Sequence, residues 1–281
     1  MSEHRPALEH IQAYADHLRL EEKSAATVEK YLRDVRAFAR WLEGREITKE
    51  RTAAWKTHLV ERGYAPASVN AMLSALNSLL DFLGFGDCRV KFLKVQRRMF
   101  RDDSRDLTRS DYNALTAAAK AQNKTWLALL MEAICATGIR VSEVQYITVE
   151  AARAGRAEVA LKGKIRTILI PSKLCRKLLK YAKQQKTASG EIFLTRNGTP
   201  LSRRQIWAEM KGLCKTAGVA ASKVFPHNLR HLFAAAFYRA SRDIVKLADV
   251  LGHSSLETTR IYLLTSGAEH QRQLDRLGLV S

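Results

Sequence analysis

The 281 residues include 47 Lys and Arg against 28 Asp and Glu, a formal net charge of +19. That length suffices for two domains with cores of their own, and the charge calls for a polyanionic partner, nucleic acid first, with a ribosome-associated or membrane-surface role as the alternative. Cys88, Cys135, Cys175 and Cys214 show no C-x-x-C spacing and read as buried thiols of a reducing cytosol, and the best apolar run, WLALLMEAICATG, carries Glu132 and is too short to span a bilayer.

From about residue 6 to residue 84 the pattern predicts four helices with basic outer faces. It is clearest in SAATVEKYLRDVRAFARWLE, where Val28, Tyr31, Leu32, Val35, Phe38 and Leu42 form an apolar stripe and Arg33, Arg36 and Arg40 lie on other faces. One helix follows near TKERTAAWKTHLVERG, and another is opened by Pro66 and stopped at Gly84. Residues 1–95 are read as this helical domain, 96–106 as a basic linker where the periodicity is lost, and 107–281 as a second domain.

The second domain opens at Thr108 with T-x-x-D to Asp111, a weaker relative of the capping box, leading a helix that includes Leu115; a second helix runs to Gly138. AEVALKGKIRTILIP reads as a β-hairpin about a KGK turn, and EIFLTRNGTPLS as a short strand with an Asn197-Gly198 turn. Ser202 and Gln205 box the start of a helix through Lys215, and the remainder is helical with breaks at Gly218, Gly252 and Gly267. The fold class expected is mostly α with one small β-hairpin, in two domains.

Four segments carry candidate chemistry. Pro226 starts a helix whose Leu229, Leu232, Phe233 and Ala236 face the core, while His227 and Arg230, at i and i+3, share another stripe and can reach one anion. Arg140 follows Gly138 at the break before a helix capped by Ser142, where its planar fork suits two phosphate oxygens. Gly252 ends a helix and leaves His253 in the turn; Ser254 and Glu257 box the next helix, with Tyr262 in its third turn. Taken singly, each has a bland reading: a solvated face for H-x-x-R, a helix cap for Arg140, packing for Tyr262.

Together, ATGIRVSE, the hairpin KGK, HNLRH and LGHSSLETTRIY resemble the boxes of the tyrosine recombinase (phage integrase) family, in its order and with its spacing from Arg230 to His253 and on to Tyr262. TVEKYLRDVRAFARWLE also looks like that family's helical core-binding domain, so the resemblance covers nearly the whole chain. It implies a C-shaped clamp around double-stranded DNA in which Arg140 and Arg230 hold the scissile phosphate. Tyr262 attacks it to give a 3′-phosphotyrosyl link, His227 acts as base, His253 orients the site and a hairpin lysine protonates the leaving oxygen, with neither metal nor ATP nor other cofactor. Lys162 is the first choice for that lysine and Lys164 the alternative, because LKGKIRTILIP departs from the family's spacing to Pro171.

The family's synaptic tetramer would give Leu274, Leu277, Leu279 and Val280 a neighbouring protomer to pack on. The expected activity is that of a mobile-element integrase or chromosome-resolution recombinase. The alternatives are a type IB-like topoisomerase and a non-catalytic DNA-binding relative. MSEHRPALEH has no apolar export segment, so residence in the cytoplasm with the nucleoid is expected, away from membranes.

Overall fold

A computed structural model describes residues 8–95, 103–161, 164–195, 197–263, 271 and 275–277. It divides into two compact units, Met1–Arg97 and Arg98–Ser281.

The first unit holds α1 (Leu8–Leu20), α2 (Ala25–Leu42), α3 (Lys49–Glu61) and α4 (Pro66–Phe82). Ser24 and Thr48 cap α2 and α3 through their side chains, and Pro66 occupies the first turn of α4, where its missing N–H costs no helical bond. Val28, Val35, Phe38 and Leu42 of α2 are buried, with Tyr31 and Leu32 partly so. Asp34 is buried beside them, paired with Arg33 at 2.9 Å and Lys30 at 3.3 Å.

Past α4 the chain runs extended, and two asparagines seven residues apart on α4 tie it down. Asn77 and Asn70 each exchange two amide hydrogen bonds with the backbone of one residue, Val90 and Leu93 respectively, at 2.8–3.0 Å. These side chains satisfy the backbone groups of a segment that has no strand to pair with.

In the second unit α5 (Arg109–Ala121) is capped by a complete Thr108–Asp111 box, and α6 (Thr125–Thr137) is buried over most of its length. The helix expected after Gly138 with Ser142 as its cap is instead a 3-10 helix, Val141–Tyr146, with Arg140 at the N-cap position and the Glu143 carboxylate accepting from the Arg140 backbone N–H. Then come α7 (Val149–Ala154), β1 (Arg156–Leu161), β2 (Lys164–Leu169) and α8 (Ser172–Gln184), and of these the sequence reading anticipated only the hairpin. β1 and β2 pair antiparallel from Arg156 opposite Leu169 to Leu161 opposite Lys164. Leu174, Cys175, Leu178 and Ala182 form the buried stripe of α8.

The strand expected from EIFLTRNGTPLS reduces to single bridges, Thr148 with Glu191 and Leu194 with Pro200. Pro200 has no N–H with which to extend the pairing. The helix expected through Lys215 breaks at Leu213 into α9 (Arg203–Gly212) and α10 (Cys214–Ala217). The unit closes with α11 (Pro226–Ser241), α12 (Ile244–Leu251), α13 (Leu256–Arg260) and a 3-10 turn, Ile261–Leu263. Ser255, one residue beyond the expected Ser254, caps α13, so the helix is a single short turn and Tyr262 stands in the 3-10 turn after it.

Leu127, Leu130, Met131 and Ile134 of α6 join Leu115, Leu178 and Leu229 in the core. Cys88 and Cys175 are buried and Cys135 and Cys214 partly so, all as free thiols; burial pushes Cys135 up to about 12. Among the described residues no helix is long and apolar enough to cross a membrane.

Candidate active site

Arg230 is the buried centre of the candidate site. It is 1% exposed, and among the described residues no carboxylate pairs with it to explain a buried guanidinium. Two helix C-termini do. Nη1 donates to the Gly138 carbonyl that ends α6, and Nη2 to the Leu251 carbonyl that ends α12, at 2.8 Å. The Leu251 carbonyl lies in the last turn of α12 and shares the partial negative charge of that helix end, and Gly138 is the residue that caps α6.

This corrects the sequence reading of α11. Arg230 lies on the buried face with Leu229 and Ala234, whereas Ala236, expected inside, is exposed, as is His227. Gly138 lets the Phe233 ring of α11 pack against the end of α6: its φ is +66°, and a Cβ there would come within 2.4 Å of that ring.

The remaining edges of Arg230 face the other candidates. Nε donates to the Tyr262 hydroxyl at 3.4 Å, and Nη2 lies 2.9 Å from Nε2 of His253, whose Nδ1 is 2.9 Å from the Thr259 hydroxyl. Tyr262, 9% exposed, is packed among imidazoles. The His253 ring stacks on it at 5.6 Å and 14°, the His231 ring is 4.3 Å away, and His227 is 6.0 Å away, edge-on to His231. Burial, then the charges of Arg230, Arg140 and Arg166, push His253 down to about 4, so its ring is neutral at pH 7.

Arg140 is 42% exposed in its side chain and held from behind. Its Nη1 donates to Glu143 Oε1 at 2.8 Å, and its backbone N–H to Oε2 at 2.8 Å. Glu143, 1% exposed, also receives Nη2 of Arg166. Burial alone would raise its pKa; the Arg140 N–H and the two guanidinium charges outweigh that and hold it below the usual carboxylate range. Burial lowers Arg230 from its ordinary value, the Tyr262 hydrogen bond opposes this, and the nearby charge of Arg140 adds to it.

The fold thus gathers His227, Arg230, His253 and Tyr262 around one point, with Arg140 contributing to the same field. Lys162 lies outside the described residues, and of Lys164 only the backbone, at the start of β2, is described. Among the described residues no group of three His, Cys, Asp or Glu side chains is placed to share a metal ion.

Sequence reasoning missed Glu143, Arg166, His231 and Thr259. Three had a local signal: Glu143 stands at the box position three after Arg140, His231 one turn after His227, and Arg166 is a charge in line with the buried Ile168 and Ile170 of the hairpin. Thr259 had none, since only the turn at Gly252 brings it to His253. Two guanidinium groups, a neutral imidazole and a phenol sharing one electrostatic field suit a negatively charged ester attacked by the phenol.

Comparison with known proteins agrees with that chemistry. The model of the phage integrase family matches residues 105–268, and that of the phage integrase N-terminal SAM-like domain matches residues 11–84. The chain is 29% identical to tyrosine recombinase XerA of Thermococcus kodakarensis, covering 97% of this chain and 95% of the relative. It is 30% identical to tyrosine recombinase XerD of Xanthomonas campestris, covering 91% and 87%. A solved structure of a lambda integrase tetramer bound to a Holliday junction shares the fold, with TM-score 0.71, 22% identity, and coverage of 90% of this chain and 76% of that one.

Proposed function

Because the chain belongs to the phage integrase family, we propose that it is a site-specific DNA recombinase that cuts and rejoins duplex DNA through Tyr262. The observation that carries this reading is the Tyr262 hydroxyl beside the buried Arg230 guanidinium, which also faces His253. A nucleophile and a phosphate-binding cation converge there on a rigid frame.

The phenolic oxygen of Tyr262 forms a bond to phosphorus as the bond from phosphorus to the 5′-oxygen breaks. The phenol proton passes to His227, and the 5′-oxygen takes a proton from the hairpin lysine, Lys162 or Lys164. The product is a 3′-phosphotyrosyl link and a free 5′-hydroxyl, and the phosphodiester energy is kept in the link for rejoining. Arg140 and Arg230 balance the charge that gathers on the non-bridging oxygens; one preorganised donor of this kind is worth about 3–4 kcal/mol of barrier. A phenol of reference pKa about 10 needs that positive field and a base to react near neutrality. Proton delivery to the leaving oxygen contributes about 10² to 10⁴ in rate.

The finer reading extends to a tetramer on paired sites inside the cell, each of the two units contributing phosphate contacts, in the service of mobile-element integration or chromosome resolution. The lambda integrase tetramer supports the assembly, and the apolar tail supports exchange between protomers: Leu277 is 60% exposed. Removing residues 268–281 is expected to impair strand exchange and spare single-site binding.

A nicked suicide duplex, selected from a randomised pool by covalent capture on the native chain, tests the central claim. A covalent adduct is expected that Tyr262→Phe abolishes. No adduct, or one that persists in the variant, overturns the reading, and relaxation of supercoils without joining of two sites would make the protein a topoisomerase.

A further inference from the structure

We propose that Arg166 is a positioning residue for the strand-cutting reaction, holding Arg140 and the His253 turn in the arrangement that receives the scissile phosphate. The proposal rests on the recombinase reading above and goes beyond it, because Arg166 belongs to none of the catalytic boxes.

Arg166 lies in β2, and its guanidinium turns inward, with the side chain only 16% exposed. Its two terminal nitrogens join two parts of the site. Nη2 donates to Glu143, whose carboxylate in turn grips both the side chain and the backbone N–H of Arg140. Nη1 donates at 3.3 Å to the carbonyl of Val250, in the last turn of α12, three residues ahead of His253. Gly252 completes the seat: a Cβ there would lie 2.4 Å from Arg166 Cδ and 2.8 Å from Nη1.

A strand arginine in water would have every donor satisfied. Here the buried Nε finds no acceptor among the described residues, which costs stability, so the position is set by the two bonds that are made. Each terminal nitrogen commits one N–H to this frame, and through those two bonds Arg166 acts on Arg140 and the turn. A group misplaced by about 1 Å can lose on the order of 10² in rate.

The test compares Arg166→Met, Arg140→Ala and the double variant on the captured suicide duplex, with binding to the same duplex and thermal melting as controls. Adduct formation by Arg166→Met is expected to fall about 10²-fold at unchanged DNA binding. The double variant is expected to lose much less than the product of the two single losses, since the part of the effect that passes through Arg140 is already removed. A role independent of Arg140, whether a general loss of structure or direct contact of Arg166 with the phosphate, would slow Arg140→Ala by the full factor seen in Arg166→Met. Multiplying losses, or an Arg166→Met variant as fast as the native chain, overturn the proposal. Should Arg166→Met fail to fold, Arg166→Lys carries the same comparison, keeping the charge but not both bonds. Absence of any adduct with the native chain is the separate failure of the recombinase reading.

Discussion

Nη2 of Arg230 lies 2.9 Å from Nε2 of His253, and because a guanidinium only donates, the imidazole accepts there through an unprotonated nitrogen. Its single proton therefore sits on Nδ1 and is donated to the Thr259 hydroxyl at 2.9 Å. In the free protein His253 orients Arg230; it can donate to a phosphate oxygen through Nε2 only after gaining a proton, which an arriving negative charge favours.

Thr259 therefore controls the tautomer. Thr259→Val keeps the shape of this fully buried side chain but leaves the Nδ1 proton without an acceptor, and should cost about 1–3 kcal/mol. Thr259→Ser should restore most of it. Denaturant unfolding together with adduct formation checks both, and equal behaviour of the two variants would refute the tautomer assignment.

The same ring makes stability depend on pH. Burial and then the Arg230, Arg140 and Arg166 charges hold His253 near 4 in the fold against 6.5 for the free side chain, so between those values the unfolded chain binds a proton that the folded one refuses. The contribution is intact above the unfolded value and is lost as pH falls toward the folded one. Melting temperature should drop more steeply between pH 6.5 and 4.5 for the native chain than for His253→Gln; parallel curves would contradict the assignment.

Gly252 and Gly218 separate backbone strain from crowding. Both have positive φ, +65° and +63°, but only Gly252 has a neighbour, Arg166, where a Cβ would go. Alanine at either position should cost roughly 1–2 kcal/mol for the left-handed backbone. Gly252→Ala alone should also slow adduct formation, by pushing Arg166 out of its seat.

Arg230 and His227 should differ in stability although both serve the reaction. Arg230→Gln strips partners from the Gly138 and Leu251 carbonyls and from His253, at a cost of about 3 kcal/mol or more, while the exposed His227→Gln should stay within about 1 kcal/mol. Calorimetric melting distinguishes them, and both should lose adduct formation.

In the first unit Asn77, 4% exposed, holds both backbone groups of Val90. Asn77→Ala should cost about 1–3 kcal/mol and speed hydrogen exchange at the Val90 amide. No change in that amide would show the segment to be held by packing alone.

Local chemistry made much of this molecule readable in one dimension. The α2 stripe, the Thr108 and Ser202 boxes, Pro66 and Pro226 at helix starts, and the hairpin all follow from interactions within a few residues, which is why pattern was enough to predict them. The four boxes likewise named His227, Arg230, His253 and Tyr262, whose spacing records a chemistry even though their contacts span up to 92 residues in the Arg230–Gly138 pair. What pattern could not show was long-range. A basic side chain on α11 reads as solvated until two helix ends close over it, and the burial of Arg230 is decided by α6 and α12. Arg166, Glu143 and Thr259 matter because the hairpin, the 3-10 helix and α13 meet around the α12 turn, where a buried donor or carboxylate must find its partner wherever the packing supplies one.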